Sequence, residues 1–282
     1  MRIHIKPYTV KSEKIGKPFR CVLISDLHNH DFGDANAPIL EMIRSLDPDF
    51  ILFPGDLVIG LVEYPLHVSE AFAKEIPKIA PVYFSNGNHE SELRIFDEEA
   101  YRHCMKIMKE SGIHILNNSS EFMLVNDNPV CIHGLELGLH KYRKFRVPHI
   151  SRRHIRERLG YMEDQDCFHI LMAHNPEFGD LYCRWGADLI VSGHFHGGLV
   201  RSPFSGRNLL SPYGFFYPRH GYGQCVFTES GKIYRNTSDL HPAGENVPPG
   251  ECLVTSAGLG DHKPLPRLFD PYEIVCIDVM RA

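Results

Sequence analysis

Asp188-Leu189-Ile190-Val191-Ser192-Gly193-His194-Phe195-His196-Gly197-Gly198 is the stretch whose reading decides the fold. Residues 188–192 read as a buried strand, and they run directly into a glycine-flanked His-x-His. Residues two apart on an extended chain point the same way. His194 and His196 are therefore expected to face one site, provided the strand geometry continues past Ser192. The glycines leave room for a tight turn and for close approach of a ligand or metal. His-x-His alone is weak evidence. It gains weight because four other polar clusters also follow short hydrophobic runs.

Working outward, 20–25 is a strand followed by Asp26-Leu27-His28, and 49–53 is a strand ending in Pro54-Gly55-Asp56. Strand 82–85 ends in Asn86-Gly87-Asn88-His89-Glu90, and strand 167–173 in His174-Asn175-Pro176. Between them, 36–46 carries Ile39, Leu40, Ile43 and Leu46 at helical spacing. Helices are also expected over 66–80, with Pro77 disturbing the last turn, over 93–110, closed by Ser111-Gly112, and over 176–185. Further strands are expected at 3–10, 113–116, 121–125, 130–133, 224–228, 232–236, 252–256 and 273–279. Strand–helix alternation followed by runs of strands predicts α/β layers with two sheets. No linker interrupts the pattern, so 1–282 reads as a single domain.

Composition narrows the class. Hydrophobic residues make up 43% of the chain, enough for a sizeable core. A net charge of −5 argues against bulk nucleic-acid binding. The chain holds 18 histidines, and histidine is the commonest metal ligand. The cysteines show no Cys-x-x-Cys spacing and mostly lie in apolar runs, as core thiols of a reducing compartment do. No stretch has the ~20 apolar residues of a membrane span. The first 17 residues are too polar for a signal peptide. A cytoplasmic location is the expectation.

In α/β sheets, ligands bind outside the carboxyl ends of strands. Asp26, His28, Asp56, Asn88, His174, His194 and His196 all fall at such ends. Carboxylates, imidazoles and an amide suit Mn, Fe or Zn better than a soft thiolate site would. A shared carboxylate such as Asp56 can hold two cations ~3.5–4 Å apart, the spacing used in phosphate chemistry.

Asp26-x-His28, Gly55-Asp56, Gly87-Asn88-His89-Glu90, His174 and Gly193-His194-x-His196 resemble, in order and rough spacing, the motif series of the calcineurin-like metallophosphoesterases. The C-terminal half is similar to a bacterial branch of small phosphodiesterases, through Gly197-Gly198, the segment 256–260 and the segment 266–274. The resemblance implies a four-layer αββα sandwich of two mixed sheets flanked by helices, with a dinuclear metal site. It assigns Asp26, His28 and His196 to one metal ion, and Asn88, His174 and His194 to the other, with Asp56 bridging. It places His89 near the leaving oxygen as general acid. The implied cofactors are two divalent or mixed-valence transition-metal ions, with Mn in assay and Fe or Zn also suitable. The implied reaction is in-line attack of a metal-bridging hydroxide on a phosphate ester, a diester by the branch resemblance. A nuclease or nucleotide phosphohydrolase, or a non-catalytic scaffold of the same fold, are the competing readings. The pattern departs from the family in Glu90, where Asp is usual, and in Asn29-His30, where Leu-Gly is common. Many relatives in this branch begin with a membrane anchor, and none is expected here.

Two features lie outside the motif series. His30 is read either as a solvated loop residue or as a substrate contact. Segment 141–158 holds eight Lys or Arg against one Glu. Arg143, Lys144 and Arg146, interleaved with Tyr142, Phe145 and Ile150, are candidates to bind the anionic part of the substrate or an anionic lipid surface. The competing reading is a solvated helix face. His133 and the cysteines are read as core residues.

Overall fold

The computed structural model describes residues 3–60, 65–143, 149–162, 164–198, 220–228, 233–236, 247–261, 267 and 270–282. Its strands are β1 (Ile3–Ser12), β2 (Phe19–Leu23), β3 (Phe50–Phe53), β4 (Val82–Phe84), β5 (His114–Ile115), β6 (Ser119–Val125), β7 (Asn128–Leu135), β8 (Phe168–Ala173), β9 (Leu189–Ser192), β10 (Gly223–Phe227), β11 (Ile233–Asn236), β12 (Glu251–Thr255) and β13 (Tyr272–Arg281). Its helices are α1 (Ala37–Ser45), α2 (His67–Glu75), α3 (Asn88–Phe96), α4 (Glu98–Glu110), α5 (Arg152–Leu159) and α6 (Gly179–Trp185).

Side-chain alternation along the strands sorts these elements into layers. On β2, Cys21 and Leu23 face one way, into a core shared with Ile170, Met172, Leu189, Val191 and Val254 of the other sheet. Val22 and Ile24 face the other way, onto Ile39 and Ile43 of α1, Phe72 of α2 and Met108 of α4. On β8, Phe168, Ile170 and Met172 join the inter-sheet core. Leu171 and Ala173 pack outward against Ile155 of α5 and Tyr182 and Trp185 of α6. The result is helix, sheet, sheet, helix. The order in the first sheet is β1-β13-β2-β3-β4-β5, and in the second β11-β10-β12-β9-β8-β7-β6. Both are mixed: β13 runs antiparallel to β2, and β10 runs antiparallel to β11 and β12. The first and last strands pair in parallel from Ile3 with Tyr272 to Ser12 with Arg281.

Three expectations need correction. The helix expected over 93–110 is two helices, because Asp97 leaves helical geometry (φ −147°, ψ 82°) and its side chain caps α4 by accepting from Ala100 N at 2.9 Å. Such a cap contributes about 1 kcal/mol, which favours the break at that residue. The helix α3 also begins earlier than expected, so Asn88 opens it. Strand geometry does not carry His194 and His196, since β9 ends at Ser192 and both histidines have left-handed backbone (φ 67° and 45°). Pro77 falls in a short 3-10 turn, Ile76–Lys78, that follows α2. Among the described residues, no helix is long and apolar enough to cross a membrane. All eight cysteines are free thiols, and all but Cys131 are buried.

Candidate metal centre

The parallel strands β2, β3, β4, β8 and β9 end at one rim, and the chain beyond each end supplies the polar residues. The loops after β2 and β3 run side by side. Asp26 N donates to Gly55 O (3.1 Å), His28 N to Asp56 O (3.2 Å) and Asn29 N to Leu57 O (3.2 Å). This ladder extends past the strands only because Asp26, His28, Asn29 and Asp56 adopt left-handed backbone, with φ between 52° and 58°. Non-glycine residues there carry strain of about 1–3 kcal/mol each, which persists only where the surroundings enforce it. Two glycines make room for the carboxylates. A Cβ on Gly87 would lie 2.2 Å from Asp56 Oδ1, and one on Gly193 would lie 2.3 Å from Asp26 Oδ2.

Asp26, His28, Asp56, Asn88, His174, His194 and His196 are all buried. Asp26, His28 and His196 bring one ligand atom each within 4.8 Å of one another, and so do Asp56, His174 and His194. Asp56 lies between the sets, its Oδ2 2.9 Å from His174 Nε2 and 3.7 Å from His28 Nε2. Asp26 Oδ1 is 3.4 Å from His196 Nε2. Asn88 is the first residue of α3, and among the described residues nothing donates to its buried Oδ1.

The donor set fits cations. His174 Nδ1 donates to Pro54 O at 2.8 Å, which leaves Nε2 with its lone pair turned towards the rim. That nitrogen then faces a carboxylate oxygen at 2.9 Å without forming a hydrogen bond. His28 Nε2 and His196 Nε2 approach to 3.1 Å in the same crowded space. Atoms held this close need a proton or a cation between them. A ligating imidazole whose other ring nitrogen donates to a carbonyl is the usual arrangement at a metal. With no ion, a proton takes that role: burial disfavours charge on His174, but Asp56 outweighs it and raises the imidazole to about 9. Burial likewise opposes charge on Asp26, yet His196 and His28 hold that carboxyl well below the usual range.

His89 follows Asn88 on α3. Its backbone N–H donates to Asp56 Oδ1 at 2.9 Å, and its ring sits edge-on to His28 at 4.7 Å. His89 Nδ1 accepts from Gly60 N at 3.0 Å and lies 3.1 Å from Glu92 Oε2. Burial lowers the imidazole's pKa, but Asp56 and then Glu92 raise it further, to about 9. Glu90 has its carboxylate taken up by backbone. It accepts from the N–H groups of Asp56 (2.9 Å), Leu57 (2.8 Å), Val58 (3.2 Å) and Gly87 (2.8 Å), tying the loop after β3 to the start of α3.

The remaining candidates scatter. His30 packs against the rings of Phe32 (4.4 Å) and Tyr272 (5.3 Å). Arg143 is exposed, and Lys144 and Arg146 lie outside the described residues. Among the described residues of the basic run, Arg153 pairs with Glu157 at 2.7 Å, Arg156 lies 4.6 Å over the Tyr161 ring, and Arg158 Nε donates to Glu136 O at 3.2 Å. Ile150, expected to meet ligand, is instead buried in the core beneath α6, because its apolar side chain seats the start of α5. Tyr142 does reach the rim, with its ring 4.9 Å from that of His194. Its place in the basic run marks it as a candidate contact, and its position depends on how the chain turns after β7.

A family model described as calcineurin-like phosphoesterase matches residues 19–198. A metallophosphoesterase of Aquifex aeolicus is 22% identical over 285 residues, covering 98% of this chain and 92% of that protein. The phosphodiesterase YaeI of Escherichia coli is 24% identical over 195 residues, covering 67% of this chain and 64% of that protein. Among solved structures, the NAD nucleotidase of Haemophilus influenzae superposes with a TM-score of 0.52 at 14% identity, covering 86% of this chain. The chain spans 46% of that nucleotidase, and the likeness is one of fold.

Proposed function

This chain belongs to the calcineurin-like phosphoesterase family of metal-dependent hydrolases, and from that premise we propose that it is a dinuclear phosphodiesterase. The observation that carries the reading is Asp56, whose single carboxylate stands between two sets of buried imidazoles. Asp26, His28 and His196 would hold one cation and Asn88, His174 and His194 the other, with Asp56 shared. Two divalent cations supply Lewis-acid stabilisation of the phosphate oxygens and activation of water near neutral pH. Mn, Fe and Zn suit the donors. Unlike a scaffold that had lost the chemistry, this chain fills every ligand position.

The protein's own contribution is positioning and a proton. Glu90 fixes the backbone that carries Asp56, and Gly87 and Gly193 let the carboxylates approach closely. With Nδ1 of His89 engaged by Gly60 and Glu92, Nε2 is the nitrogen that presents a proton to the leaving alkoxide. Preference for diesters rests on the likeness to YaeI and on the C-terminal motifs. Arg143, beside Tyr142 at the rim, meets the anionic remainder of the substrate, and 1–282 acts as one domain. The test is to strip metal with chelator, restore Mn, Fe or Zn, and assay diesters, monoesters and nucleotides. Diester hydrolysis that returns with metal is expected. A preference for monoesters or nucleotides would move the chain to the phosphohydrolase reading.

A further inference from the structure

We propose that Cys131, His133 and His169 form a separate site for one zinc-class divalent ion on the outer face of the second sheet. The register of β7 and β8 builds it. The two strands are parallel, with Cys131 opposite His169. His133 follows Cys131 by two residues, so both side chains leave the same face. On β8, Phe168 and Ile170 point into the inter-sheet core, which turns His169 outward. One ligand atom from each of the three residues lies within 4.8 Å of the others.

The hydrogen bonds around the two rings match those of ligating histidines. His133 Nε2 and His169 Nδ1 are 3.0 Å apart. Two nitrogens bound tetrahedrally to zinc at 2.0–2.1 Å are separated by roughly 3.3 Å. The far nitrogen of each ring has an oxygen partner: Ser120 Oγ at 2.6 Å from His133 Nδ1, and Asp164 O at 2.6 Å from His169 Nε2. Such oxygens fix ring orientation at metal sites. Asp164 O accepts only, so His169 Nε2 keeps its proton and Nδ1 offers a lone pair. The edge of the Trp185 ring walls the pocket 5.1 Å from the His133 ring.

Without an ion, the same atoms form a closed chain in which His133 Nε2–H donates to His169 Nδ1. An ion replaces that bond as follows. The His133 proton moves from Nε2 to Nδ1, where it donates to Ser120 Oγ, and the Cys131 thiol releases one proton to solvent. Cys131 is what makes the cluster more than a histidine pair. Alone among the cysteines it is partly exposed, and a thiolate with two imidazoles suits zinc-class ions rather than the harder ions of an oxygen-rich site. Water takes the fourth position. Bound there, the ion clamps β7 to β8 and, through Asp164, to the loop ahead of β8.

The test uses the full chain and Co2+, whose bond to a thiolate gives a near-ultraviolet charge-transfer band. No cysteine belongs to the candidate metal centre, so the band reports on this cluster. The expected result is one equivalent of thiolate band in the wild type, displaced by Zn2+, absent from Cys131→Ser and weakened at least tenfold in apparent affinity in His169→Gln. Zn2+ should also raise the unfolding temperature of the wild type more than that of Cys131→Ser. No band in the wild type, or an undiminished band in Cys131→Ser, overturns the proposal.

Discussion

At the strand ends, His194 and His196 sit on left-handed backbone, beside Gly193, whose replacement would collide with Asp26. On the outer face of the second sheet, His133 and His169 sit on regular strands in undistorted register. Both groups bring imidazoles within about 3 Å of one another. They differ in what surrounds them. The rim adds two buried carboxylates and local backbone strain, whereas the sheet face adds a thiol and no strain. Strain at a site, held in place by contacts distant in sequence, marks residues whose positions chemistry constrains. A cluster built on plain strands can form from register alone, so only its donor set speaks for a ligand.

The sharpest way to separate the two clusters is Asp56→Asn. It removes the charge that both cations would share, so hydrolysis should fall to near background and the rim should lose Mn2+, as measured by metal analysis and turnover. The Co2+ thiolate band should survive in the same variant. Its loss would mean the clusters form one system. His89→Ala should retain Mn2+ and slow hydrolysis of alkyl diesters by about 10²-fold, the lower end of general acid assistance, because bound cations would share in stabilising the leaving oxygen. For nitrophenyl esters, whose leaving group needs little protonation, the loss should shrink below tenfold. An equal loss on both substrates argues against proton donation by His89.

Much of the rim is legible in the chain because each polar cluster follows an apolar run too short to be anything but a strand end. Asp26, Asp56, Asn88 and His174 could be ordered on that ground alone. The pairing of His194 with His196 has a different physical basis from the expected one. Strand alternation predicts it, but a left-handed turn produces it, and local sequence does not distinguish the two. The break at Asp97 was hidden inside a continuous apolar pattern from Leu93 to Met108. Ile150 belonged by composition to a basic surface run, yet one face of that run is core. The Cys131 cluster was invisible because it depends on which residue of β8 stands opposite Cys131, a register set by the whole sheet.

Smaller effects sharpen the contrast further. Glu90→Gln leaves the cluster's own donors intact but weakens the hold on four backbone N–H groups. Loss of such a supporting partner typically costs 10–100-fold in metal affinity or activity, and a Mn2+ titration reads it directly. Arg143→Gln should change KM for a small chromogenic diester by no more than about twofold, as expected for an exposed charge. A larger rise for a strongly anionic diester, shrinking with added salt, is expected if Arg143 meets the substrate's remainder. Equal, salt-independent KM values for both substrates would return the whole run to a solvated face.

The central claim is that Asp56 joins two cations in one centre. The most direct measurement is a Mn2+ titration of the metal-stripped chain, followed in parallel by electron paramagnetic resonance and by diester hydrolysis. The account predicts that about two equivalents bind at the rim, that the second produces an exchange-coupled pair signal, and that activity rises with that signal. Isolated Mn2+ signals at saturation, or full activity after one equivalent, would contradict it.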